Sequence, residues 1–174
     1  MERRKRIRRS GLLCLHCLEN AAFYRARVAA SAETFRRPFW RRVDANFIDM
    51  ALVEWCKVFG DDPKKAVHHW QKVVTEPHEF LSRLEKATGI SEAALESYRL
   101  KVRAYRDQFV AHLDAIDQAD VPDLQLAIET ARFLFNYLSD VEDDGSAFYD
   151  APSKVDKRFQ QALDHARTEY GGLN

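Results

Sequence analysis

Leu95, Tyr98, Val102, Tyr105, Phe109, His112 and Ile116 recur at spacings of 3, 4, 3, 4, 3 and 4. An α-helix gathers that spacing onto one face, and such a seam has to be covered by a core or by another helix. Elsewhere the chain lacks the strict apolar–polar alternation of a half-buried strand. Its 6 Gly and 5 Pro are too few for an architecture of short hairpins. The spacing therefore predicts an all-α fold, an antiparallel helical bundle.

Capping and breaker residues divide the chain into helices. The first covers residues 12–36 and stops before Pro38; the second starts with Pro38 in its first turn and reaches Phe59. Trp40, Val43, Phe47 and Met50 give the second its stripe, and Gly60 is a natural stop. Two short extra helices follow: one from Asp61-Asp62-Pro63 through His68, Trp70 and Val73, another after Pro77 with Phe80, Leu81 and Leu84, ending at Gly89. The central helix starts with Ser91 as its cap and extends to Ile116. Asp120 and Asp123 open the next, which carries Leu124, Ala127, Ala131, Leu134 and Leu138 and closes at Asp143-Asp144-Gly145. Ser153 and Asp156 cap the last, with Val155, Phe159, Ala162, Ala166 and Tyr170 on one face and Gly171-Gly172 at its end. A length of 174 residues suits one domain. Residues 1–12 read as a basic N-terminal tail, residues 13–174 as a single helical bundle domain, and Trp40, Trp55 and Trp70 as core.

Hydrophobic residues at 46% and charged residues at 31% exclude a disordered or membrane-embedded chain. No stretch approaches the roughly 20 apolar residues of a membrane span. Arg8-Arg9-Ser10-Gly11-Leu12-Leu13 is similar to the start of a twin-arginine signal, but His16, Glu19, Arg25 and Arg27 interrupt the apolar run that should follow. A cytoplasmic protein is expected. The odd, low count of 3 Cys (Cys14, Cys17 and Cys56) argues for a reducing compartment. Cys14-Leu15-His16-Cys17 has the inner spacing of half a zinc site, yet no second Cys pair or spaced His pair supplies the remaining ligands, and His68-His69 are adjacent. The cysteines read better as small apolar residues, with no metal and no cofactor expected. No Gly-rich phosphate loop, nucleophile elbow or zinc-protease motif is present.

The net charge of zero conceals an asymmetry. Residues 1–43 carry 12 Lys/Arg against 3 Asp/Glu, whereas residues 114–150 carry 10 Asp/Glu against Arg132 alone. A basic N-terminal segment suits phosphate tracking, and two solvated faces of opposite sign suit the pattern equally well.

On its seam position alone, His112 reads as a satisfied core histidine. Its surroundings shift that reading. Arg99, Arg103 and Arg106 flank the same seam at spacings of 4 and 3, and Asp107 follows Arg106 directly. Arginine offers a fixed fork of donors to phosphate oxygens, and histidine a proton switch near neutral pH. Arg99 and Arg103 become candidate RNA-binding residues, although each taken singly also reads as solvated flank. Residues six apart lie about 9 Å apart along a helix and point roughly 120° apart. Arg106 and His112 of one chain therefore do not clamp one phosphate, and a composite site in a homodimer resolves the geometry.

Tyr105-Arg106-Asp107-Gln108-Phe109-Val110-Ala111-His112-Leu113-Asp114 resembles the Arg-x(4–6)-His signature of the HEPN superfamily. The Ala-His-Leu-Asp tail, together with Phe39-Trp40 through Leu52-Val53-Glu54-Trp55-Cys56-Lys57-Val58-Phe59-Gly60-Asp61, is similar to the U-type abortive-infection branch. The resemblance implies a dimeric helical bundle whose two motifs line a shared cleft. It implies a metal-independent endoribonuclease, a toxin or phage-defence effector, with some members paired with a nucleotidyltransferase-type antitoxin. His112 would be the general base on a ribose 2′-hydroxyl, Arg106 the stabiliser of the phosphorane and Asp107 an orienting residue. Other members keep the fold as a non-catalytic dimeric binding or scaffold module.

Overall fold

The computed structural model describes residues 2–28, 37–110, 120–149 and 155–172, and they form an all-α bundle. The helices are α1 (Arg3–Val28), α2 (Pro38–Trp55), α3 (Pro77–Thr88), α4 (Glu92–Tyr105), α5 (Leu124–Tyr137) and α6 (Val155–Gly171). Side-chain pairs fix their directions. Phe23 meets Phe47 and Arg27 meets Asp44, so α2 runs antiparallel to α1. Arg3 meets Glu142 and Arg25 meets Gln125, so α5 does the same. Tyr98 packs on Trp55 and Tyr105 bonds Asp49, which sets α4 antiparallel to α2. Glu19 meets Arg158, while Ala26 clusters with Ala166 and Tyr170, so α6 runs parallel to α1.

The core is threaded by α1, whose inward positions Ile7, Gly11, Cys14, Leu18, Ala21 and Ala22 are largely small. Small side chains let neighbouring backbones come close. A Cβ on Gly11 would lie 2.5 Å from the Phe148 ring, so the segment after α5 packs directly on this helix. The basic residues expected to form a tail belong to α1 instead. Ile7 is buried, Arg3 donates to the Glu142 carbonyl at 3.1 Å and to Thr75 Oγ1 at 3.0 Å, and Arg8 donates to the Ala147 carbonyl at 2.8 Å. Those anchors offset the ordering entropy of the segment.

The face that α2 buries also differs from the expected stripe. Asp44, Ile48, Ala51, Leu52 and Trp55 point inward, while Met50 is exposed. A buried ion pair with Arg27 turns Asp44 inward and rotates the face by about one position. Trp55 and Trp70 lie in the main core; Trp40 packs against Tyr170 in the satellite cluster around Ala26 and Ala166. Trp55 also donates to Thr130 Oγ1 at 2.9 Å, tying α2 to α5.

Ser91 and Gly89 cap where expected, Asp123 rather than Asp120 is the N-cap of α5, and Ser153 lies outside the described residues. Ser91 Oγ accepts from the Ala94 amide, Asp123 from the Gln125 amide, and Gly89 takes a left-handed φ of 75° to close α3. The first short helix is reduced to turns. The Asp62 carboxylate accepts from the Lys64 amide at 2.8 Å, its carbonyl accepts from the Lys65 and Ala66 amides, and a single 3-10 turn, Trp70–Lys72, follows. Local side-chain bonding of this kind competes with a helical ladder.

Among the described residues, π turns follow three helices: Cys56–Gly60 after α2, Arg106–Val110 after α4 and Leu138–Glu142 after α5. The wider ladder shows in the Asp61 amide bonding the Cys56 carbonyl at 2.8 Å. Gly60 allows that turn to close, since a Cβ there would lie 2.8 Å from Cys56 Sγ. No described helix is long and apolar enough to cross a membrane.

Candidate functional site

Leu95, Tyr98, Val102 and Tyr105 bury the seam of α4, so its flank, carrying Arg99, Arg103 and Arg106, is turned toward the segment that leaves α2. Between the two lies a cleft of about 710 Å³. Phe59, Asp61, His69, Trp70, Arg99 and Arg103 are among the residues lining it. Both candidate RNA-binding arginines thus reach one concavity.

Each is held by a carboxylate. Arg99 donates from two nitrogens to Glu96 at 2.6 and 2.7 Å and from a third to the Gly60 carbonyl at 3.1 Å. The hydrogen bond with Glu96 raises the Arg99 pKa and lowers that of Glu96. Arg103 pairs more loosely with Asp107, at 3.6 Å.

Arg106 opens the π turn at the end of α4. It bonds Asp61, at the lip of the cleft, and donates from Nε to Asp107 at 2.9 Å. Burial works against its charge, but the Asp61 and Asp107 carboxylates overcome that and raise its pKa. Its side chain remains 20% exposed. The planar fork of donors is fixed at the rim with carboxylate oxygens on the edges that phosphate oxygens could take. Beneath lies the Cys56 thiol, fully buried and pushed up to about 12 by desolvation.

Asp107 therefore meets Arg106 and Arg103. His112 lies within residues 111–119, outside the described residues. The sequence reading missed Asp61, taken only as a helix start, and His69. His69 is 3% exposed and accepts from the Gln71 amide at Nδ1 (3.3 Å). Desolvation drives its pKa down to about 4, so the imidazole is neutral at pH 7. A His-His doublet carries no sequence signal for which ring turns inward.

Cys14, Cys17 and Cys56 are buried free thiols. Among the described residues, no group of three or more His, Cys, Asp or Glu stands in a metal-holding arrangement.

Compared with protein-family models, curated proteins and solved structures, the chain gives no match. Its reading rests on its own residues.

Proposed function

We propose that the chain is a HEPN-type, metal-independent endoribonuclease of the toxin or phage-defence kind, acting at a composite Arg106/His112 site in a homodimer. The observation that carries this reading is the Arg106 guanidinium, bonded to Asp61 at the lip of a cleft that Arg99 and Arg103 line. An RNA phosphate arriving there exchanges a carboxylate oxygen for a phosphate oxygen, so the guanidinium stays bonded throughout. The 2′-oxygen attacks phosphorus while His112 takes its proton. The bond from phosphorus to the 5′-oxygen breaks, and that oxygen gains a proton from solvent as it leaves. The product strand ends in a 2′,3′-cyclic phosphate. Arg106 stabilises the charge that builds on the phosphorane oxygens, and Asp107 keeps Arg106 in its orientation. A nucleotidyltransferase-type antitoxin belongs to this reading as the partner that would silence it.

The test is purified protein incubated with mixed RNA in chelator, wild type against His112→Ala and Arg106→Ala. Cleavage by the wild type with loss in both variants is expected. Equal cleavage by all three, or none by the wild type across RNAs and salts, overturns the proposal. Sedimentation at micromolar concentration should give a dimer; a strict monomer removes the composite site.

The Arg106–Asp61 bond favours a second reading. It fastens the end of α4 to the end of α2, as a non-catalytic dimeric scaffold would use it. Under that reading Arg106→Ala lowers the melting temperature and wild type cuts nothing.

A further inference from the structure

The loop between α2 and α3 has two sides. His69 and Gln71 line the cleft on one side. On the other, the Lys72 carbonyl accepts from Arg6 at 3.4 Å and the His68 carbonyl accepts from Ser10 at 3.1 Å. The loop is thus a narrow wall with the cleft on one side and the N-terminal half of α1 on the other.

That outer side is basic. Arg6 and Arg9 lie one turn apart on α1, Lys57 stands on the π turn after α2, and Lys72, whose charge acts on His69 at the cleft side, stands on the 3-10 turn of the loop. Lys57 is bonded to the nearly buried Glu54 carboxylate at 2.9 Å, and Glu2, one turn before Arg6, pairs with Lys5 at 3.7 Å. His68 sits among these cations: desolvation, then Arg9, Arg6 and Lys57, lower its pKa.

We infer that this strip is an RNA-backbone track, leading the phosphates of a single strand across Arg6, Lys57 and Lys72 and over the loop to Arg99 and Arg103 in the cleft. The inference rests on the RNA-cleaving reading for the identity of the polyanion. Charge complementarity supports a polyanion, and shape selects among polyanions. The strip is narrow and passes over a lip into a concavity, which a flexible strand follows and a planar anionic bilayer does not. Contacts of this kind are independent of sequence and are lost steeply with salt, because each phosphate neutralised releases a counterion.

The experiment uses the full chain and a 2′-O-methyl oligoribonucleotide of roughly 12 nucleotides, which binds but offers no 2′-hydroxyl for cleavage. Anisotropy at several salt concentrations gives the slope of log K against log salt. Arg6→Gln/Lys57→Gln/Lys72→Gln is compared with Lys157→Gln/Arg158→Gln/Arg167→Gln, which removes equal charge from α6. A single-strand contact is worth about 0.7 in that slope. The track triple should therefore flatten it by about 2 and the α6 triple should leave it near wild type. If the track triple fails to fold, Lys57→Gln/Lys72→Gln should still flatten it by about 1.4. Equal slopes in all proteins, equal flattening by both triples, or binding to phosphatidylserine vesicles with none to the oligonucleotide would overturn the track. A wild type that binds through the track but cuts no RNA defeats the nuclease reading alone. A wild type that cuts RNA while its binding ignores the track triple defeats the track alone.

Discussion

Two arginine–carboxylate clusters in this bundle use the same groups to opposite ends. Arg27 bonds Asp44, which also accepts from the Tyr170 hydroxyl at 2.7 Å, joining α1, α2 and α6. Arg106 bonds Asp61 and Asp107, joining the end of α4 to the end of α2. The Arg27 and Asp44 side chains are 1% and 9% exposed; those of Arg106, Asp61 and Asp107 are 20%, 32% and 48% exposed. Burial decides what each can do. Neither partner of the first pair can be lost without leaving a bare charge out of water, so the pair specifies helix register. Partners in the second are part-solvated and exchangeable, which structure does not require and anion binding does.

The largest effect should come from breaking the inner cluster. Arg27→Ala strands Asp44 and is expected to cost about 3–5 kcal/mol in urea unfolding. A loss below about 1 kcal/mol would erase the contrast between the clusters. Arg106→Ala should do the reverse. Its stability cost is expected to stay within about 1 kcal/mol, as for a solvent-screened pair, while kcat/KM for RNA cleavage falls about 10²–10³-fold. If the variant melts like Arg27→Ala and the wild type shows no activity to lose, the rim cluster is structural too.

The contrast also marks how far the sequence could be read. Helix ends announced by local chemistry were legible: Ser91 and Asp123 open helices as caps, and Gly60 and Gly89 close them through turns that need glycine. The seam of α4 was legible because Leu95, Tyr98, Val102 and Tyr105 are apolar and buried. Asp44 was not, since a buried carboxylate looks polar until its partner 17 residues away is placed beside it. The helical start at Arg3 was hidden for the same reason: its anchors at Thr75 and Glu142 are distant in sequence. At the site, the arginine row could be seen on one helix. The wall that makes it a cleft comes from Phe59, Asp61 and His69, which tertiary packing alone brings there.

His69 supplies a prediction of intermediate size that tests the wall. Its folded pKa, about 4, lies below its ordinary value of 6.5. A depressed histidine favours the folded state only while neutral. Its contribution is therefore complete above about pH 6.5 and is lost as the pH falls toward 4. The loss should be on the order of 2–3 kcal/mol between pH 7 and pH 4, at about 1.4 kcal/mol per unit. The measurement is urea unfolding across that range for wild type and His69→Gln. The variant should show a flatter acid limb; parallel curves would mean that the ring is solvated and the cleft wall looser than described.

The smallest effect sharpens the comparison most finely, because it falls within the rim cluster. Arg103 is 45% exposed and meets Asp107 only at 3.6 Å, across one helical turn. Such a pair contributes about 0.3–0.5 kcal/mol at most, so Arg103→Ala should leave the unfolding midpoint almost unchanged. It also frees Asp107 to bond Arg106 alone, so the orientation of Arg106 should survive and kcat with it. What changes is electrostatic reach. Arg103 lines the cleft, so its loss should flatten the salt dependence of oligonucleotide binding by about 0.7, one single-strand phosphate contact, and raise KM while sparing kcat. A fall in kcat comparable to that of Arg106→Ala would place Arg103 with the groups that act on the transition state. An unchanged slope would return it to the solvated flank of α4 and leave Arg99 as the cleft's remaining candidate for a phosphate.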